Sequence, residues 1–186
     1  MWFTMFKLTI LDGPQVDLGQ MLAAKDARVV KERALLVTAP TNTLLHVTLR
    51  IPGPVKTGTR IEAVFSAVMQ TLTQQLGEAV RSSDIDLLPT GPEAYFLTTL
   101  SPLSLKRLMV AFENQQRFCD LLDLDVITLR DAELYQVSRT DLALPPRACL
   151  VCGGDAKACA RSRRHGLPEV QQVVETIVKE SASQTA

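Results

Sequence analysis

Between residues 43 and 51 apolar and polar positions alternate without a break. Leu45, Val47, Leu49 and Ile51 fall on one side, and His46, Thr48 and Arg50 on the other. Strand side chains alternate between faces, so the pattern predicts a half-buried strand with His46 on its solvent side. The spacing then changes. Ile61, Val64, Phe65, Val68, Met69, Leu72, Leu76 and Val80 recur every three or four residues, which predicts a helix whose stripe is core packing. Thr59-Arg60-Ile61-Glu62 reads as a capping box at its start. An earlier helix is predicted over 17–36, with Leu18, Met21, Leu22 and Val29 inward and Lys25, Arg28, Lys31 and Arg33 in water. Ser101 as cap and Pro102 in the first turn predict a third helix that buries Leu105, Leu108, Met109 and Phe112. Pro168 opens a last helix with Val170, Val173, Val174, Ile177 and Val178 as its apolar face.

Further strands are predicted over 84–88 and 94–100. Another follows at 122–126, with a return strand over 134–137 after the turn Arg130-Asp131-Ala132-Glu133. So tight a turn demands antiparallel pairing. The expectation is an α+β fold: a single domain, 1–186, with a mixed, mostly antiparallel sheet covered by helices. Residues 1–15 read as a variable leading segment, 145–165 as a cysteine-rich knuckle and 181–186 as a frayed polar tail.

Composition adds exclusions. The 186 residues are 46% apolar and 22% charged, with twenty basic and twenty acidic side chains. Zero net charge argues against a general nucleic-acid or membrane-surface binder. No apolar run is long enough to span a bilayer, and the apolar opening lacks the basic start and cleavage site of a signal peptide. A cytoplasmic protein is expected.

Candidate chemistry is concentrated late in the chain. Asp123 and Asp125 share one face of their predicted strand, while Leu122, Leu124 and Val126 take the other. Two carboxylates held side by side suit a magnesium ion that carries a phosphate. The same pattern also fits the solvent face of an edge strand. Asp141 stands nearby as a third carboxylate. Arg139, Arg147, Arg161, Arg163 and Arg164 supply positive charge that a polyphosphate would need, though each equally suits plain surface solvation. The loop Pro52-Gly53-Pro54-Val55-Lys56-Thr57-Gly58 is either a connector or a glycine-opened backbone beside a lysine that approaches a phosphate. Cys149, Cys152, Cys159 and His165 form the spacing C-x2-C-x6-C-x5-H, which reads either as a zinc site or as buried thiols in a tight loop.

These segments together resemble a known family. Gly53-Pro54-Val55-Lys56, Thr90-Gly91-Pro92-Glu93, Asp123-Leu124-Asp125-Val126 and Leu144-Pro145-Pro146-Arg147-Ala148-Cys149-Leu150-Val151-Cys152, followed by Cys159-Ala160-Arg161 and His165, look like the apo-citrate lyase phosphoribosyl-dephospho-CoA transferases. The resemblance implies a nucleotidyltransferase-like fold. The implied reaction transfers the phosphoribosyl-dephospho-CoA group of 2'-(5''-triphosphoribosyl)-3'-dephospho-CoA to a serine of the citrate lyase acyl carrier subunit, with release of diphosphate. On this reading Asp123, Asp125 and Asp141 are the catalytic candidates, with Mg2+ on Asp123 and Asp125. Lys56, Arg139, Arg147 and Arg161 are the substrate-binding candidates. The chain departs from the family pattern where Cys119-Asp120 replaces a Gly-Arg entry to the strand, and where Thr140 and Ala148 stand in place of arginines. Two other readings stand beside it: a nucleotide- or carrier-protein-binding paralogue without turnover, and a small zinc-stabilised interaction protein.

Overall fold

The computed structural model describes residues 10–183. Along the chain run α1 (Leu18–Thr38), β1 (Thr43–Leu49), α2 (Thr59–Leu76), β2 (Val80–Leu88), β3 (Gly91–Thr98), α3 (Pro102–Phe112), β4 (Leu122–Arg130), β5 (Glu133–Val137), α4 (Ala156–Ser162) and α5 (Leu167–Ala182). The five strands form one sheet in the order β2-β3-β1-β4-β5. Every pairing is antiparallel, so the sheet is not mixed. The fold is α+β.

Both faces of the sheet are covered. On one face Leu45, Val47, Phe96, Leu124 and Val126 pack against Phe65 and Met69 of α2, Leu105 and Met109 of α3, and Val174 and Ile177 of α5. This is the main core, and the stripes on α2, α3 and α5 build it as their spacing predicts. The opposite face holds a smaller cluster of Leu36, Leu44, Tyr95, Leu97 and Ile127 beneath α1.

That second layer overturns two expectations. His46 is buried, not a surface strand residue, because α1 lies over its side of β1. The helix α1 also presents the face expected to be in water. Arg28 pairs with Glu93 at 2.7 Å, Lys31 with Asp84 and Asp86 at 2.6 Å each, and Arg33 with Glu133 at 2.6 Å. Leu18, Leu22 and Val29 are left 74%, 54% and 45% exposed. The reason is electrostatic. Glu93 is buried in the sheet, and a buried carboxylate is costly unless a cation meets it.

The capping box at Thr59 does not form. Gly58 is the N-cap of α2 and makes no side-chain cap. Instead the Asp12 carboxylate accepts from Thr59 N at 2.8 Å and Thr59 Oγ1 at 3.2 Å, while Glu62 accepts from Thr57 Oγ1. A remote acid thus does the work a local serine or threonine usually does. Gly58 permits it, since a Cβ there would lie 2.2 Å from the Ile10 carbonyl oxygen. Residues 10–16 are accordingly fastened down: Ile10 is fully buried and Val16 N donates to Pro54 O. At the other end, α5 runs through Ala182 with Ser181 buried, so the expected tail begins later than residue 181. Residues 1–9 and 184–186 of the two predicted terminal segments lie outside the described residues.

Candidate functional site

The hairpin partner β5 opposes β4 only from Val126 to Arg130. Residues 122–125 therefore carry Asp123 and Asp125 past the end of β5, beside an open sheet edge. Lys106 on α3 reaches into that gap and donates to Leu124 O at 2.9 Å. A cavity of about 590 Å³ forms there. Its walls include Lys106, Glu113, Asp123, Asp125, Gln136, Arg139, Arg147 and Lys157.

Within this cavity Gln136 Nε2 donates to Asp125 Oδ1 at 2.5 Å, and Arg147 lies 3.4 Å from Asp123 Oδ1. Burial raises the Asp125 carboxyl above its ordinary range, and the charge of Asp123 raises it further, against the pull of Lys106 and His46. Burial also lowers the Lys106 ammonium despite Asp125 and Glu113. Two carboxylates that repel each other in a partly dehydrated pocket form a donor set suited to a hard divalent cation.

The other candidates separate into those that share this cavity and those that do not. Arg139, ion-paired to Glu113, and Arg147 line it. Asp141 is engaged elsewhere: its carboxylate accepts from Ser138 N at 2.7 Å, from Ser138 Oγ and from Tyr135 Oη. The Ser138 N–H, first among these, holds Asp141 below the usual carboxylate range, which makes it a poor proton acceptor. Lys56 donates to the Ile51 carbonyl at 2.8 Å, so its amine closes its own loop. Arg161 lies on α4 outside the cavity wall.

A second cavity, of about 330 Å³, continues from the first through Glu113, Arg139 and Arg147, and adds Arg50 and Arg117. A third, of about 510 Å³ and mainly apolar, adjoins the second through Arg50, Cys149 and Leu150. Sequence reasoning missed Arg50, Lys106 and Gln136. Lys106 left a signal, since it falls among the apolar stripe positions of α3 as a lone charge.

The cysteine segment closes one end of this tract. Cys149 N donates to Gly154 O and Gly153 N to Cys149 O, making a tight knuckle that Gly153 allows at φ 71°. Asp155 caps α4 by accepting from Lys157 N and Ala158 N. One ligand atom each from Cys149, Cys152, Cys159 and His165 lies within 4.8 Å of the others. Cys152 Sγ and Cys159 Sγ are 3.5 Å apart. The Gly154 N–H draws the Cys152 thiol down to about 6, and its hydrogen bond with Cys152 pushes Cys159 up to about 11. His165 Nδ1 faces Glu169 at 3.5 Å, and its Nε2 is buried with no partner. A carboxylate behind the imidazole is the arrangement that orients a histidine toward a metal. This group can hold a metal ion.

His46 belongs to a third group, on the face of the sheet that α1 covers. Its Nδ1 is 2.8 Å from Glu32 Oε1, its ring stacks on Tyr95 at 4.4 Å, and Tyr95 Oη donates to Glu93 Oε2 at 2.7 Å. Burial opposes charge on His46, but Glu32 and Glu93 outweigh it and raise its pKa. Burial likewise works against the Glu93 carboxylate, yet His46, Arg28 and Tyr95 bring it down to about 2. Because His46 pairs with Asp125 across β1 and β4 and shares its face of the sheet, this network lies beside Asp125 and fixes the strand there.

The chain is similar to known proteins over most of its length. A family model described as apo-citrate lyase phosphoribosyl-dephospho-CoA transferase matches residues 16–181. A probable apo-citrate lyase phosphoribosyl-dephospho-CoA transferase of Streptococcus pyogenes serotype M18 is 35% identical over 175 residues, 94% of this chain and 91% of that protein. One of Vibrio cholerae serotype O1 is 34% identical over 164 residues, 86% of this chain and 90% of that protein. The Haemophilus influenzae protein CitXG is 34% identical over 181 residues, covering 96% of this chain and 37% of that longer protein. A match across this much of both chains leaves one conclusion: the chain belongs to the apo-citrate lyase phosphoribosyl-dephospho-CoA transferase family.

Proposed function

We propose that the protein transfers the phosphoribosyl-dephospho-CoA group of 2'-(5''-triphosphoribosyl)-3'-dephospho-CoA to a serine of the citrate lyase acyl carrier subunit. The observation that carries this reading, beside family membership, is the cavity in which Asp123 and Asp125 meet Arg139, Arg147 and Lys106. The serine oxygen attacks the phosphorus nearest the ribose. A new P–O bond forms as the bond to the leaving diphosphate breaks, and an aspartate of the pair accepts the hydroxyl proton. Arg147 and Arg139 take the phosphate charge, a task that guanidinium forks suit geometrically. Asp123 and Asp125 are the residues that would hold Mg2+, which when bound supplies charge neutralisation at the phosphates. Placement in the cytoplasm belongs to the same proposal, supported by four free cysteines.

Cys149, Cys152, Cys159 and His165 hold a structural Zn2+ in this reading, supported by the four gathered ligand atoms and the orphaned His165 Nε2. The metal would cross-link a segment that carries little core of its own. The deciding experiment incubates the purified chain with the triphosphoribosyl precursor, Mg2+ and apo-carrier, and weighs the carrier by mass spectrometry. The expected outcome is a mass increase of one phosphoribosyl-dephospho-CoA group, lost when Mg2+ is withheld. An unmodified carrier would overturn the proposal.

A further inference from the structure

Among the described residues, Arg50 lacks the carboxylate partner that Arg117, Arg139 and Arg147 in the tract of cavities have, the last at 3.4 Å from Asp123. Arg117 is paired with Asp120 at 2.7 Å, and Arg139 is paired with Glu113. Arg50 instead donates through Nη2 to the carbonyl oxygen of Asp120, and its Nε is buried without a partner. Arg147 donates through Nη2 to that same carbonyl at 3.2 Å and to Cys119 O at 3.4 Å. Two guanidinium groups thus converge on one neutral oxygen. Burial, and after it the charge of Arg147, lowers Arg50 to about 10. A buried guanidinium without a carboxylate, beside a second that shares its carbonyl, is a receptor for an anion, and forked N–H groups favour a phosphate.

The position of Arg50 narrows the ligand. It lines both the arginine-rich cavity and the apolar one, which is walled by Leu150, Ala160, Leu167 and Val170. A ligand that suits both carries a phosphate joined to a long arm without charge. We infer that Arg50, with Arg147 beside it, seats the diphosphate bridge of the dephospho-CoA moiety, and that its pantetheine arm lies in the apolar cavity between α4 and α5. The assignment rests on the proposed transferase reading and deepens it. Arg147 stands between two tasks, with Nη1 toward Asp123 and the reacting phosphates, and Nη2 toward Arg50.

The test uses 4'-phosphopantetheine, which keeps phosphate and arm but lacks adenosine and triphosphate, with ADP and inorganic triphosphate as comparison probes. Calorimetry on the full chain should show Arg50→Met weakening phosphopantetheine at least tenfold and inorganic triphosphate less than twofold. Val170→Trp, which fills the apolar cavity while leaving both guanidinium groups in the chain, should weaken phosphopantetheine tenfold and leave ADP unchanged. Thermal unfolding checks that each variant is folded, and Val170→Trp decides alone if Arg50→Met is not. The inference is overturned by wild-type protein that binds no phosphopantetheine, by undiminished binding in Val170→Trp, or by an Arg50→Met loss that is equal for triphosphate. Carrier modification by the wild-type chain, assayed in parallel, separates the two readings. Transfer with unchanged phosphopantetheine binding in both variants sinks only the pantetheine seat, whereas no transfer sinks the function itself.

Discussion

Replacing Glu93 by Gln tests whether the buried network beneath α1 acts as the geometry requires. In the folded protein Glu93 is nearly solvent-free and meets Arg28, Tyr95 and His46, which bring its pKa from the ordinary 4.5 down to about 2. At 1.36 kcal/mol per pKa unit, that difference corresponds to about 3 kcal/mol of stability at pH 7. The sign follows from the direction. A carboxyl with a depressed folded pKa stabilises above its unfolded value of 4.5 and loses that contribution as the pH falls toward about 2. His46, raised by the same partners, acts oppositely: its contribution is complete below 6.5 and fades as pH rises through its higher folded value. Urea denaturation of wild type and Glu93→Gln at pH 7 and pH 3.5 reads the difference directly. The variant should be less stable by about 3 kcal/mol at pH 7, and the gap should narrow by roughly 1 kcal/mol at pH 3.5. Equal gaps at the two pH values would refute the assignment of the effect to Glu93 ionisation.

Three further outcomes are expected. Asp125→Asn should reduce Mg2+-dependent transfer at least a hundredfold while raising the metal-free melting temperature, because the raised pKa of Asp125 marks a charge that costs stability above its ordinary range; a lower melting temperature would contradict this. Elemental analysis should find about one zinc per chain, and Cys152→Ser should lose it together with several degrees of melting temperature; zinc retained in full by Cys152→Ser would remove that residue from the ligand set. Asp141→Ala should leave kcat within about threefold of wild type, since its carboxylate is occupied by Ser138 and Tyr135, and a hundredfold loss would restore it as a catalytic candidate.

What the sequence disclosed was whatever local spacing decides. The stripes of α2, α3 and α5, the Ser101 cap, the hairpin turn at 130–133 and the alternation around Asp123 and Asp125 all depend on neighbours within a few residues. The features that spacing did not disclose depend on partners far along the chain. His46 is buried because α1 crosses it, and α1 lies as it does because Glu93, Asp84 and Asp86 draw its basic side inward. Asp12 caps α2 from 47 residues away. Arg50 gave no sign because, in sequence, it is only the polar member of an alternating strand. Its meaning comes from a carbonyl 70 residues later. Lys56 and Asp141 looked like ligands in sequence because their types were right, and the nearest backbone groups had already claimed them.

The central place of β1 also bears on how the chain is made. Leu45 pairs with Phe96 on one side and Val126 on the other, so β1 has no partner next to it in sequence. At a synthesis rate of 5–20 residues per second, about 80 residues between Leu45 and Val126 correspond to roughly 4–16 s during which an apolar strand waits with one edge bare. Non-local pairing of this kind is slow even in the finished chain. The strand that covers that edge is the one bearing Asp123 and Asp125, so the candidate cavity starts to form with the event that ends the exposure and closes once Gln136, Arg139, Arg147 and Lys157 have followed. Slower growth at low temperature, or abundant chaperone, is therefore the condition under which soluble protein and a formed site should be obtained together.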